Sequence, residues 1–183
     1  MVDIIAKIIK SIKPFDNEEK LHKENSLRWV QSGKEIFRTA KPDVPKKHLV
    51  AYFVPIDLKT KKLLLINHLK SGLWLPPGGH VEKDENPIDT VKREMQEELY
   101  LHAKFISTKS FFITITITIN IDAGHTDVSL WYLVYGDSTK KYEYNTQEMS
   151  GYAWFTTDEI QGKNTFKYDP HMKRFVKKLL QIY

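Results

Sequence analysis

Apolar positions along the chain change period several times, and each change marks an element. In Met1–Lys13, Ile4, Ile5, Ile8, Ile9 and Ile12 alternate with Lys7, Lys10 and Lys13 at helical spacing, so an amphipathic helix is expected. Pro14 interrupts it, and Asp16 is placed to cap a second helix, with Glu19 three residues on as a capping-box partner. That helix would carry Leu21, Leu27, Trp29 and Val30 and stop near Gly33, with a short strand through Glu35–Arg38 before the Pro42/Pro45 break. Beyond it the period shortens. His48–Ile56 and Lys62–Asn67 are apolar, β-branched runs separated by Asp57–Lys61, the pattern of a hairpin. Phe105–Ile121 alternates Ile113, Ile115, Ile117 and Ile119 with Thr114, Thr116 and Thr118, a strand with one apolar face. Val128–Tyr135 and Tyr152–Phe155 are further strands. A helix over Pro87–Leu99 interrupts them, and another closes the chain, with Asp169 as cap, Pro170 in the first turn and Met172, Phe175, Val176, Leu179 and Leu180 as its apolar stripe. Strands and helices in this order predict an α+β fold with a mixed sheet between helices.

Composition narrows the function classes. The chain has 183 residues, 41% of them hydrophobic, enough for one domain with a modest extension. We divide it into an N-terminal helical extension, 1–45, and a domain over 46–183. No run is long and apolar enough to span a membrane. The first helix could lie on a membrane surface, pack on the domain or build a homodimer contact, and packing on the domain is the expected use of its isoleucines. There is no cysteine, which excludes disulfides and thiolate chemistry and agrees with a cytoplasmic address. A net charge of +5 favours anionic partners but is too dispersed to argue for a specific nucleic-acid binder.

The chemistry concentrates in one stretch. Asn86 can cap a helix whose first turn holds Pro87. On it Glu94, Glu97 and Glu98, three and four residues apart, share a face. Like charges so placed repel, and an all-carboxylate cluster suits a hard divalent ion such as magnesium or manganese. The preceding loop, Leu75 to His80, is stiff at Pro76 and Pro77 and open at Gly78 and Gly79, so a backbone carbonyl can approach the same ion. A glutamate-rich helix face is otherwise ordinary solvated surface. The flanking residues decide between the two readings.

Those residues resemble the Nudix box, GX5EX7REUXEEXGU with U a bulky aliphatic residue. Gly79, Glu85, Arg93, Glu94, Glu97 and Glu98 fall at its spacings, with Met95 and Leu101 at the U positions. Tyr100 stands where the family has glycine. The resemblance implies the Nudix fold and a magnesium-dependent hydrolase (manganese a possible substitute) that cleaves a diphosphate linkage in a small-molecule nucleotide substrate. It implies that Glu94, Glu97, Glu98 and the Gly78 carbonyl bind the metal, while Gly79, Glu85 and Arg93 support the site, the last two as an ion pair. Some members use a further glutamate outside the box as catalytic base. Glu148 is the candidate here, and Asp127 its rival. His80 and His125 are either phosphate contacts or local loop residues. Trp131, Tyr132 and Phe112, on alternating strands, are core positions that could alternatively stack on a base. The proline or tyrosine that marks some subfamilies beyond the box is missing at Thr116–Ile119, which leaves a nucleoside triphosphate or another nucleoside diphosphate derivative. A non-catalytic nucleotide-binding module is the alternative reading, and an interaction protein led by its N-terminal helices a third.

Overall fold

The computed structural model describes residues 1–41, 44–118, 124–163 and 167–182. Its centre is β1 (Lys47–Asp57), paired in parallel with β6 (Thr126–Tyr135) along nearly its whole length and antiparallel at its far end with β2 (Lys62–His68). Parallel pairing buries both faces, and both strands are apolar almost continuously. The sheet runs β3 (Trp74–Leu75), β2, β1, β6, β5 (Phe105–Ile117), with β4 (Gly78–His80) added to β1 and β7 (Met149–Thr156) to β2.

The two faces have separate cores. Leu49, Ala51, Phe53, Leu64, Ile66, Leu130 and Tyr132 face α1 (Val2–Ser11), α2 (Asn17–Val30) and α3 (Pro87–Leu99), through Ile5, Ile9, Trp29, Val30, Val91 and Met95. Val54, Leu63, Leu65, Phe112 and Trp131 face α4 (Thr157–Gln161) and α5 (Met172–Leu179), through Ile160, Met172, Phe175 and Val176. The mixed sheet between helices is thus the arrangement expected from the periodicity. The first helix buries Ile5, Ile9 and Ile12 within its own chain, and no helix among the described residues is long and apolar enough to cross a membrane.

Several local expectations are corrected. Glu35–Arg38 is not a strand; Ile36 and Phe37 are buried in irregular backbone, with the Ile36 carbonyl accepting from Leu49 N–H at 2.8 Å. Asp16 does cap α2, accepting from Glu19 N–H, but the Glu19 carboxylate reaches Phe15 N–H and Lys178 instead of closing a capping box. Leu21 is exposed. Asp169 does not cap α5, whose N-cap is His171; its carboxylate accepts from His171 N–H in the turn ahead of the helix. The alternation in β5 is not a simple apolar face, since Thr114 is buried and accepts from Trp131 Nε1–H at 2.9 Å, whereas Ile117 at the strand end is 71% exposed. The last part of the strand expected there, Ile119–Ile121, lies outside the described residues. The short elements β3, β4 and α4 carry too few residues to show a period. Pairing with β2 and β1 defines the first two, and a capping box between Thr156 and Glu159 defines α4.

Candidate active site

Asn86 starts α3 by accepting from Ile88 N–H, and Pro87 occupies the first turn. The helix packs its Val91, Met95 and Leu99 stripe into the core. With that stripe fixed, Glu94 and Glu98, one turn apart, are turned inward toward β4 and buried, and Glu97 stays at the surface. Gly78 and Gly79 let β4 approach them. Gly78 has φ of 145° and any side chain there would overlap the Ala51 carbonyl, while a Cβ on Gly79 would occupy the space of the Glu94 carboxylate. Gly78 N–H donates to Glu98 Oε2 at 2.9 Å.

Arg93 braces this corner. Its Nε and Nη2 each donate to Glu85 at 3.0 Å in a two-pronged pair, and Nη2 also donates to the His80 carbonyl. Nη1 donates to Glu94 Oε1 at 2.6 Å and, at 3.4 Å, to Glu97 Oε2. Glu85 further accepts from Glu82 N–H and Thr90 Oγ1–H. Burial would raise the Glu85 carboxyl, but these hydrogen bonds, Arg93's first, hold it below the usual range. The expected ion pair is present, and it ties the loop before α3 to the strand that carries Gly78 and Gly79.

The inward carboxylates are in the opposite condition. Burial pushes Glu94 up to about 7 despite Arg93, and it pushes Glu98 well up, with Glu94, Glu148 and Glu97 adding like-charge repulsion. Among the described residues Glu98 has Gly78 N–H as its donor, and the surrounding charge is mainly negative. Two buried carboxylates and an exposed third, with one guanidinium between them, fit a divalent cation in the same space. Glu148 lies in the turn before β7, which is docked on the end of α3 by Asn145 N–H donating to the Glu98 carbonyl at 2.9 Å. It is exposed, and its charge is felt by both Glu94 and Glu98.

Tyr100 adopts the left-handed conformation, φ 54° and ψ 33°, at the end of α3. Tyr100 is 52% exposed, so the packing available to offset the strain is slight. The helix end keeps the left-handed cap geometry that a glycine serves.

The remaining candidates separate. Trp131, Tyr132 and Phe112 are fully buried, which places them in the two cores and not on a base. Asp127 is not among the glutamates; it sits beside His48 and His125, with His80 adjacent, in a group the sequence reading did not assemble. The available signal was weak. His125, just ahead of β6, and Asp127 are two apart and fall on one side of the extended chain, but His48 and His80 arrive only through the pairing of β6 and β4 with β1.

A family description of the NUDIX domain matches residues 46–179. Over 102 residues the chain is 35% identical to a Lactococcus lactis protein named "Probable DHNTP pyrophosphohydrolase"; the alignment spans 56% of this chain and 57% of that relative. It is 29% identical over 119 residues to an uncharacterized Nudix hydrolase of Bacillus subtilis, spanning 64% of this chain and 72% of the other. Among solved structures, the E. coli dihydroneopterin triphosphate pyrophosphohydrolase superposes with a TM-score of 0.58 at 11% identity, covering 81% of this chain and all of that one. At that identity the likeness speaks for the fold.

Proposed function

The chain belongs to the NUDIX domain family, and from that premise we propose that it hydrolyses a diphosphate linkage in a nucleoside triphosphate or another nucleoside diphosphate derivative. Residues 46–183 are the hydrolase domain and 1–45 a helical extension packed on it. Glu94, Glu97, Glu98 and the Gly78 carbonyl would hold a divalent ion, magnesium or manganese. The observation that carries this reading is the buried, mutually repelling Glu94 and Glu98 pair, which has too little positive charge around it to be a structural network.

When bound, the ion would polarise the phosphoryl oxygens and neutralise charge that develops on them. The chain's own residues do the rest. Arg93, fixed by Glu85, holds Glu94 in place and ties it to β4. Glu148, exposed and within electrostatic reach of the cluster, would take the proton from the attacking water as the phosphoanhydride oxygen leaves. The similarity to a protein named for DHNTP adds pterin triphosphates to the substrates to be tried.

Phosphate and pyrophosphate release from a panel of nucleotides and dihydroneopterin triphosphate, with and without magnesium, tests the proposal. Glu97→Gln and Glu98→Gln should each lower kcat by at least about a hundredfold, ~2.7 kcal/mol in the barrier, with far-UV circular dichroism unchanged. Turnover near that of the unaltered chain in both variants would overturn it.

A further inference from the structure

A second polar cluster lies behind β4, and the glutamate site does not use it. His48, His80, His125 and Asp127 each present one ligating atom, and the four atoms lie within 4.8 Å of one another. His48 Nε2 is 3.1 Å and His125 Nε2 is 3.3 Å from the same Asp127 Oδ1. The His48 and His80 rings are 4.6 Å apart between centroids, and those of His48 and His125 5.0 Å. His48 is fully buried, His125 and Asp127 nearly so.

The proton positions make this contact informative. His48 Nδ1 is 2.9 Å from the Pro45 carbonyl. A carbonyl can only accept, so Nδ1 carries the proton, and a neutral imidazole then has its lone pair on Nε2. His48 Nε2 lies 3.1 Å from Asp127 Oδ1, so in the neutral form two acceptors stand in contact, and neither atom has a hydrogen bond of good geometry among the described residues. His80 Nε2 is likewise buried and without one. On the outer side of His125, Nδ1 is 3.1 Å from Thr118 Oγ1, so its Nε2 too is turned inward. One extra proton, on His48 Nε2, would turn this contact into a buried imidazolium–carboxylate pair, whereas a bound cation would serve all three imidazoles and the carboxylate together.

We propose that His48, His80, His125 and Asp127 form a binding site for a zinc-class transition-metal ion, separate from the all-carboxylate site for the hard divalent ion. Three imidazoles and a carboxylate are a donor set for four-coordinate zinc, and a backbone carbonyl on the remote nitrogen is the usual brace for a ligating histidine. At metal–ligand distances of about 2.0–2.1 Å, tetrahedral ligand atoms lie roughly 3.4 Å apart. The spacings of 3.1 and 3.3 Å to Asp127 are already near that value, and the others, none above 4.8 Å, close by at most roughly 1.5 Å. The ion would join β1, β6 and β4, and so hold in place the strand whose Gly78 and Gly79 line the glutamates.

The test is metal binding by the full chain after dialysis against a chelator, with excess magnesium present to occupy the carboxylate site. Titration with cobalt(II) should give one tight equivalent per chain with the intense visible bands of four-coordinate cobalt, displaced by one equivalent of zinc. Removing a ligand in His48→Ala or Asp127→Asn should weaken binding at least a hundredfold, whereas Glu98→Gln should leave it unchanged. His80→Ala, at the more exposed member of the group, should also lose the bands and keeps the test valid if the buried variants do not fold. Absence of a stoichiometric coloured complex, or bands that survive His80→Ala, overturns the proposal. Loss of the bands in Glu98→Gln would also overturn it, because it would assign the ion to the glutamates.

Discussion

Replacing Lys178 by methionine should cost this protein about 3 kcal/mol of stability, although the lysine is remote from the chemistry. Lys178 on α5 reaches through the edge of the sheet to the N-terminal segment. Its Nζ donates to Glu19 Oε1 at 2.7 Å, to the Lys13 carbonyl at 2.8 Å and to the Phe111 carbonyl at 2.6 Å. The two side chains are 8% and 0% exposed, so this is not the surface pair worth about 0–1 kcal/mol. Burial pushes Glu19 up and Lys178 down, each toward its neutral form, which measures how much the pair depends on its mutual contact. Removing one partner of such a pair costs about 3–5 kcal/mol, because a charge is left buried and uncompensated. Glu19 keeps Phe15 N–H as a donor, which places the cost at the lower end. For a chain of this length that is a fall in Tm of roughly 6–12 °C. Urea unfolding followed by circular dichroism measures it. Glu19→Leu added to Lys178→Met should restore most of the loss, since the pair leaves together and the cavity is filled with apolar atoms. A single-variant loss below about 1 kcal/mol would refute the reasoning, and with it the view that residues 1–45 are fastened to α5 through this pair.

Two further outcomes follow from strain and from burial. Tyr100→Gly should keep activity within about tenfold, ~1.4 kcal/mol, and should raise the denaturation midpoint slightly. The left-handed φ of 54° costs a non-glycine residue about 1 kcal/mol, which the half-exposed ring does little to offset; a lowered midpoint would contradict this. Burial raises the Asp169 carboxyl to about 7, so the folded chain keeps a proton that the unfolded chain releases near pH 4. Stability from this group is full below about pH 4 and lost as pH rises through 7. Asp169→Asn should therefore flatten the decline in unfolding free energy between pH 5 and 8, and equal slopes in the two proteins would rule it out.

The sequence by itself determined the longer elements and the gathering of three glutamates on α3. Pro87–Leu99 was legible to the residue because cap, proline and apolar stripe agree, and its helical spacing alone puts Glu94, Glu97 and Glu98 on one face. The main strands were legible because a strand buried on both faces must be apolar throughout. What spacing along one helix cannot say is which carboxylates are turned inward. Packing of Val91, Met95 and Leu99 decided that, burying Glu94 and Glu98 and leaving Glu97 in solvent. The same limit hid β3 and β4, too short for a period, and the change of Asp169 from helix cap to buried turn carboxylate. It also hid the histidine group. His48, His80 and His125 are more than thirty residues apart in sequence, and only strand pairing, a long-range property with no local signature, brings them around Asp127.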